Sequence, residues 1–218
     1  MNIVIYGNGN FAEYVEYLIS NDSEDTVCAF CVEKQYMEKR VLNGHPVIDF
    51  NTIEKNYPPE EFNLFIAIGL NKERQRIFDL AKMKGYKMTN YISSKATTWN
   101  NLKIGENTWV GEGSIIQPFV TIDDNSILFG ANVGHHSSIK NHCLLSGATL
   151  GGNVIVGDFS ILGLNSSVKH NVQIGEYNII GMGCNIDRNT DDYAIYHHGK
   201  TTLKRNFSSK KIEMKYLK

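Results

Sequence analysis

Two short segments of the sequence carry residues that could do chemistry. Residues 134–139 place two histidines side by side, His135 and His136. Imidazole takes up and releases protons near neutral pH, so this segment could supply a general base. Residues 7–12 have the pattern G-x-G-x-x-A, directly after an apolar run and before a helix-like segment. A glycine turn of this kind lets backbone amides at the start of a helix approach a ligand, often an anionic one.

The glycine turn belongs to a half of the chain that alternates strands and helices. The runs that predict strands are NIVIY, VCAFCV, HPVID and FNLFIAI, and the segments with helical apolar spacing are FAEYVEYLISN and KERQRIFDLAKMK. Gly85 is placed to end the second helix. Strands joined through helices pair in parallel, so we predict a small doubly wound, Rossmann-like α/β domain over residues 1–95.

The histidine pair belongs to a repeat with a period of six residues. Two steps of five interrupt a series of fifteen aliphatic positions: Ile104, Val110, Ile116, Ile122, Leu128, Val133, Ile139, Leu145, Leu150, Val156, Leu162, Val168, Ile174, Ile180 and Ile186. An α-helix cannot use this period, because six residues rotate it by about 600° and scatter the faces. A triangular coil can, with each aliphatic side chain pointing inward and with small residues or Asn at tight corners. We therefore predict a parallel β-helix of hexapeptide repeats over residues 96–190, with a basic tail over residues 191–218.

Composition excludes several classes of protein. The 218 residues carry 22 Lys and Arg against 23 Asp and Glu, a balance unlike that of a protein that coats nucleic acid. No apolar run approaches the roughly 18 residues of a membrane span, and the N-terminus does not have the pattern of a signal peptide. The four cysteines form no disulfide framework, and Cys28 and Cys31 are expected to be buried small hydrophobes. We expect a cytoplasmic protein with no nucleic-acid or membrane partner.

The glycine turn and the hexapeptide array together resemble a known family. The array is similar to the left-handed β-helix acyltransferases, and its combination with a nucleotide-binding domain resembles the sugar acetyltransferases of the PglD/NeuD type. The resemblance implies an acetyl-CoA-dependent N-acetyltransferase acting on a nucleotide-linked amino sugar of the dideoxy class, in the synthesis of surface-glycan precursors. It also implies a homotrimer, with acetyl-CoA between neighbouring subunits and no metal.

The resemblance assigns catalytic roles by position. His135 lies four residues before Ile139 and corresponds to the general base that deprotonates the amine. His136 stands where the family has Asp or Glu, so either it takes a related role or a carboxylate from another coil or subunit replaces it. Neighbouring side chains on a strand face opposite sides, so only one histidine is expected at a given cleft. Gly152, one coil further on, would polarise the thioester carbonyl through its backbone N–H.

The resemblance also assigns two binding surfaces. The acetyl-CoA groove is expected to involve Leu144, Leu164, Gly181 and Gly183. The nucleotide sugar is expected to contact Gly9, Asn10, Phe11, Val32, Glu33 and Gly69. Asn71 and Arg74 follow the third strong strand and could meet a pyrophosphate, with solvation of a surface arginine as the alternative. Lys200, Lys204 and Arg205 in the basic tail could reach the phosphates of CoA.

Three alternatives stay open. The enzyme could O-acetylate a sialic acid or another sugar. It could be a zinc hydratase of the same fold, with His136 and His142 stacked as ligands. It could also be a binding scaffold without enzymatic activity.

Overall fold

The N-terminal half of the protein is a five-stranded sheet with a helix on each face. The computed structural model describes residues 1–199. Its first elements are β1 (Asn2–Tyr6), α1 (Asn10–Asp22), β2 (Thr26–Val32), β3 (Val41–Leu42), β4 (His45–Asp49), β5 (Asn63–Ile66) and α2 (Asn71–Met83), with 3-10 helices at Lys34–Tyr36 and Phe50–Lys55. The strand order is β3-β4-β2-β1-β5, and every pair is parallel except β3 with β4. The predicted doubly wound α/β fold is confirmed.

Glycine fixes two of the turns in this half. Gly7 follows β1 with φ +136°, and a Cβ built on it would lie 2.9 Å from the carbonyl oxygen of Ala67. Only glycine lets the chain pass so close to β5 before it enters α1. Gly85 has φ +87° just after α2, which is the left-handed conformation that commonly ends a helix.

The C-terminal half is a left-handed parallel β-helix made of very short strands. The strands are β6 (Tyr91–Ile92), β7 (Lys103–Ile104), β8 (Trp109–Val110), β9 (Ile115–Ile116), β10 (Thr121–Ile122), β11 (Ile127–Phe129), β12 (Asn132–Val133), β13 (Ser138–Ile139), β14 (Leu144–Ser146), β15 (Thr149–Leu150), β16 (Ile155–Val156), β17 (Ile161–Leu162), β18 (Ser167–Val168), β19 (Gln173–Ile174), β20 (Ile179–Ile180), β21 (Asn185–Ile186) and β22 (Ile195–Tyr196). They form three sheets, which are the three faces of a triangular coil.

We name the faces by their strands. The docked face has the order β22-β20-β17-β14-β11-β8-β6, the second face β21-β18-β15-β12-β9, and the third face β19-β16-β13-β10-β7. The chain visits them in the sequence docked, second, third. The sheets therefore extend from Tyr91 to Tyr196, a few residues beyond residues 96–190 at both ends, and the expected tail contains β22. The division of the chain into domains at residue 95 stays a prediction.

The hexapeptide series fills the interior of the coil. Fourteen of its fifteen residues are buried in one cluster, and Ile104 packs against that cluster at its open end. Stacked partners are 17 or 18 residues apart, as in Ile122 with Ile139 and Val156 with Ile174. The two steps of five in the sequence account for the offsets of 17. The predicted β-helix is confirmed.

Left-handed backbone conformations mark all three corners. The corner between the second and third faces, which we call the histidine corner, has positive φ at Phe119, His136, Asn153 and Asn171. The corner between the third and docked faces has positive φ at Asn107, Asn125, His142, Phe159, Tyr177 and Tyr193. The remaining corner uses mostly glycine, at Gly113, Gly130, Gly147 and Gly183, with Asn165 on one coil.

The two halves share an apolar core. Trp109 on the docked face is fully buried and stacks on Tyr91, with ring centroids 4.2 Å apart. The same cluster contains Ile127 of the docked face and Val15 and Ile19 of α1. Because this core is continuous, the N-terminal half packs firmly against one face of the coil and leaves the other two faces open.

Three further features concern partners and cofactors. No helix within residues 1–199 is long and apolar enough to cross a membrane. The same residues contain no cluster of three or more His, Cys, Asp or Glu side chains arranged to hold a metal ion. Cys31, Cys143 and Cys184 are buried and Cys28 is partly exposed, all as free thiols. Lys200, Lys204 and Arg205 lie outside the described residues.

Candidate active site

The two histidines meet at the histidine corner. Their Nδ1 atoms are 3.1 Å apart, and their rings are nearly perpendicular. His136 has φ +59°, and its ring stacks on Phe119 with centroids 4.6 Å apart. Alternation along a strand does not apply here, because the pair occupies a tight corner and not an extended segment. The alternation argument therefore does not hold at this position, because the two rings contact each other; which of the two reaches a substrate cleft stays a prediction.

Gly152 lies directly against His135 on the next coil. Val133 pairs with Leu150, which brings His135 and Gly152 to the same height of the corner. A Cβ built on Gly152 would lie 2.7 Å from Nε2 of His135 and 2.6 Å from its Cε1. Real Cβ atoms essentially never come so close, so only glycine fits beneath this ring.

The backbone N–H of Gly152 is a free donor. Its carbonyl accepts a hydrogen bond from Asn171 N–H, but among the described residues nothing accepts from its own N–H. The imidazole of His135 thus lies against a residue whose own N–H has no acceptor among the described residues. Such a pair can take a proton from an attacking nucleophile and polarise the carbonyl that is attacked.

Of the four residues predicted for the acetyl-CoA groove, three share a corner. Leu164 is exposed and follows β17, and Gly181 and Gly183 follow β20, the strand paired with β17. Leu144 is elsewhere: it is the outward residue of β14 and packs against the apolar core shared with the N-terminal half. The structure does not bring it together with the other three, because the docked face is covered at that height.

A second cleft lies at the carboxyl ends of β1, β2 and β5. It has a volume of about 300 Å³ and is lined by Tyr6, Gly7, Asn8, Gly9, Val32, Tyr36, Ala67, Ile68, Gly69, Glu73 and Arg76. Of the predicted residues, Gly9, Val32 and Gly69 line the cleft, and Glu33 lies behind Arg76 without lining it. The carboxyl edge of a parallel sheet is where α/β folds bind ligands. A larger cleft of about 620 Å³ near Met1, Pro59 and Lys84 lies at the amino ends of these strands, away from that edge.

A charged group that sequence reasoning missed closes one side of this cleft. Arg76 donates to both carboxylate oxygens of Glu33, at 3.1 and 2.5 Å, and its Nε donates to Glu73 at 2.5 Å. The Arg76 guanidinium lowers the pKa of Glu33. Burial, followed by the nearby Glu33 carboxylate, raises the pKa of Tyr6. The i, i+3 spacing of Glu73 and Arg76 on a helix that follows a strand was the signal for this pair.

The prediction for Arg74 is wrong. Its side chain is fully buried, and its three nitrogens donate to the Asn71 side chain and to the backbone carbonyls of Ile68, Gly69, Asn125, His142 and Cys143. Burial lowers the pKa of this guanidinium to about 10. With every nitrogen engaged, Arg74 has no donor to offer a pyrophosphate and instead joins α2 to the β-helix. Asn71 has the same role, because its side-chain amide donates to the carbonyl of Phe159 at 3.0 Å.

Two other residues predicted to contact the nucleotide sugar lie outside the lining of this cleft, so their role stays a prediction. Phe11 packs its ring edge-on against Trp109 and Phe129, at centroid distances of 6.1 and 5.4 Å, and is not among the residues that line the cleft. Asn10 begins α1 and is exposed, but it does not line the cleft either. Phe11 points to the docked face because α1 packs on that face.

The arrangement required for the zinc alternative is not observed. His136 lies at the histidine corner and His142 lies at the corner between the third and docked faces, so the two do not stack. The Nδ1 of His142 instead pairs with the side chain of Asn125 at 2.9 Å.

Comparison with known proteins matches both halves. The family described as the PglD N-terminal domain matches residues 2–81, and that of the GMPPB C-terminal domain matches residues 87–182. The GDP-perosamine N-acetyltransferase of Escherichia coli O157:H7 is 30% identical over 137 residues, which are 59% of this chain and 58% of that protein.

Solved structures extend the similarity to most of the chain. PerB from Caulobacter crescentus, solved in complex with CoA and GDP-perosamine, is 28% identical with a TM-score of 0.80, over 89% of this chain and 93% of its own. The acetyltransferase domain of PglB from Neisseria gonorrhoeae FA1090, in complex with acetyl coenzyme A, has the same fold, with 23% identity and a TM-score of 0.80 over 89% of this chain and 94% of its own.

The fold and the site together define the class of protein. It has a Rossmann-like domain with a cleft at the carboxyl edge of its sheet. This domain packs on a hexapeptide β-helix that carries a histidine beside a backbone N–H with no acceptor among the described residues. Within that class, the chain resembles the PglD/NeuD-type sugar acetyltransferases in both halves, as the sequence predicted.

Proposed function

We propose that the protein is an acetyl-CoA-dependent N-acetyltransferase that acts on the amino group of a nucleotide-linked amino sugar, in the synthesis of surface-glycan precursors in the cytoplasm. The observation that carries the proposal is the contact of His135 with Gly152, whose N–H is free. The named activities of the E. coli relative and the ligands of PerB support the choice of acetyl-CoA and an amino sugar.

His135 and Gly152 divide the chemistry between them. The neutral sugar amine attacks the thioester carbonyl carbon with its lone pair, and Nε2 of His135 takes the proton that the nitrogen loses as the C–N bond forms. The N–H of Gly152 stabilises the negative charge that develops on the carbonyl oxygen. When the C–S bond breaks, the imidazolium returns its proton to the departing thiolate. The products are the N-acetylated sugar and CoA, and His135 is neutral again.

Two surfaces would hold the substrates. The exposed corner formed by Leu164, Gly181 and Gly183 is the proposed groove for acetyl-CoA. The cleft at the carboxyl edge of the N-terminal sheet is the proposed nucleotide site, with the Gly7–Gly9 backbone against the phosphates and Glu33, held by Arg76, available to accept hydrogen bonds from the nucleoside.

We also propose a homotrimer, because within one chain the nucleotide cleft and His135 lie on opposite sides of the β-helix. The N-terminal half, with the nucleotide cleft, covers the docked face, and the histidine corner is the corner opposite that face. A sugar held in the cleft would therefore meet the His135 of a neighbouring subunit. Ile115 and Phe119 leave apolar surface near the histidine corner, 47% and 59% exposed. Phe129, which likewise lies outside the interior series, is covered by the N-terminal half.

The test is an acceptor panel. Purified protein is given acetyl-CoA and a series of nucleotide-linked sugars that carry either a free amine or only hydroxyls, and release of the CoA thiol is followed. Turnover confined to amine acceptors supports the proposal. Turnover with hydroxyl acceptors such as sialic acid would favour the O-acetyltransferase, and no thiol release with any acceptor would refute the acetyltransferase. Light scattering gives the subunit number, and a monomer would contradict the trimer.

A further inference from the structure

The proposed base, His135, has a histidine as its hydrogen-bond partner where a carboxylate would be expected. The structure pairs its Nδ1 with Nδ1 of His136 at 3.1 Å, so one of the two nitrogens must donate and the other accept. The Cε1 and Nε2 atoms of the His135 ring lie nearest to Gly152, since a Cβ built there would be 2.6 and 2.7 Å from them and 3.1 Å from Nδ1. The contact therefore bears directly on which ring nitrogen of His135 carries its proton.

We propose that His136 is a positioning residue that sets the tautomer of His135 by accepting its Nδ1 proton. The proposal rests on the function proposed above, in which Nε2 of His135 must have a free lone pair. A neutral imidazole carries one proton, so a free Nε2 requires the proton on Nδ1. His136 then accepts at its own Nδ1 and carries its proton on Nε2. The two neutral rings hold opposite tautomers.

The corner is built to keep His136 in this place. Its backbone is left-handed with φ +59°, its N–H donates to the carbonyl of Pro118 at 3.2 Å, and its ring stacks on Phe119. Asparagine occupies the same left-handed position on the next two coils, at Asn153 and Asn171. Histidine is among the non-glycine residues that adopt left-handed backbone most readily, and the ring of His136 lies between Phe119 and His135.

No carboxylate serves the pair among the described residues. The groups that contact the two histidines are the side-chain oxygen of Gln117, which accepts from His135 N–H at 2.9 Å, together with Pro118, Phe119, Gly152 and Asn153, none of them ionisable. The ionisable groups at the same corner, two coils further on, are Lys169 and His170.

Protonation of either histidine of the pair would abolish the proposed base. A proton taken up by His135 at Nε2 occupies the lone pair that the reaction needs. A proton taken up by His136 at Nδ1 turns that atom into a donor, and His135 must then accept at Nδ1 and keep its own proton on Nε2. Either event removes the base, so activity falls with two protonation sites instead of one.

The experiment compares His136→Phe, His136→Asp and, as a matched control on the same corner, His170→Gln. Steady-state kinetics are measured from acid to neutral pH. We expect His136→Phe to lower kcat by at least about 10-fold, the lower end of what a metal-bound histidine loses without the hydrogen-bond partner of its second nitrogen, with KM nearly unchanged and a shallower acid limb. His136→Asp should restore most of kcat and move the acid limb to higher pH, because a carboxylate favours the imidazolium. His170→Gln should change neither.

A measurement of the histidine tautomers, which does not depend on catalysis, distinguishes this inference from the proposed function. In protein labelled with ¹⁵N-histidine, His135 should be protonated at Nδ1 and His136 at Nε2 near neutral pH, and His136→Phe should shift His135 towards the Nε2–H form. Opposite tautomers in a protein that transfers no acetyl group would refute the function and keep the pairing. An active enzyme in which His136→Phe leaves both the His135 tautomer and the acid limb unchanged would overturn the positioning role.

Discussion

Substituting Gly152 by alanine tests whether the position of His135 governs catalysis. The new methyl group would lie 2.6 Å from Cε1 and 2.7 Å from Nε2 of His135, whereas ordinary van der Waals contact begins near 3.4 Å. The ring must therefore withdraw by about 1 Å, and a misplacement of that size costs about 100-fold in rate, or about 2.7 kcal/mol of transition-state stabilisation. The backbone N–H of residue 152 remains in the variant, so its loss cannot explain the result.

The assay is kcat for acetyl transfer by Gly152→Ala, with thermal unfolding as a check on the fold. We expect little change in the unfolding temperature, because His135 is exposed and can swing into solvent. The control is the same substitution in a His135→Ala background, where the clashing ring is absent and Gly152→Ala should cost almost nothing further. A Gly152→Ala enzyme with near-normal kcat, or an equal loss in both backgrounds, would refute the reasoning.

Three other substitutions test the roles of Arg74, Arg76 and Asp22. Arg74→Met should destabilise the protein by about 3 kcal/mol in urea unfolding, because buried carbonyls that the guanidinium satisfies lose their donor. Arg76→Ala should raise KM for the nucleotide sugar with little effect on kcat, and equal rises for both substrates would contradict a role confined to the N-terminal cleft. Hydrogen bonds from Ser94 and then from Tyr91 lower the pKa of Asp22, so its stabilising effect is present at neutral pH and is lost as the carboxylate protonates. Asp22→Asn should therefore lower the unfolding temperature at pH 7, and the difference from the unaltered protein should shrink below about pH 4, where the carboxylate protonates in the unfolded chain.

The fold was predictable because its determinants are local and periodic. The six-residue series gives the inward positions of the β-helix, and the two steps of five give the 17-residue offsets that bring His135 over Gly152. The contact between His135 and His136 was not predictable from alternation, since it depends on the left-handed conformation of one corner residue.

Arg74 shows the other limit of sequence reasoning. On α2 it looks like any exposed arginine at the start of a helix. It is buried because that helix docks on the corner that presents the carbonyls of Asn125, His142 and Cys143. Contacts of this kind depend on how the two halves sit against each other, and no local pattern around Arg74 encodes that.

The sequence nevertheless indicates which face of the coil the N-terminal half covers. The indication lies in the outward-pointing residues, which stand one position before each interior residue. On the docked face these outward residues are Trp109, Ile127, Leu144, Ile161, Ile179 and Ile195, whereas on the second face they are one isoleucine, Ile115, and then Asn132, Thr149, Ser167 and Asn185. Burial of apolar surface contributes roughly 25 cal/mol per Å², so the N-terminal half gains most by covering the face with the apolar series. It buries Trp109 and Ile127 completely and leaves Ile179 and Ile195 exposed by 43% and 70%, because its helices end before the last coils. The period of the outward residues therefore predicts which face is covered, and the same choice places the histidine corner opposite the nucleotide cleft.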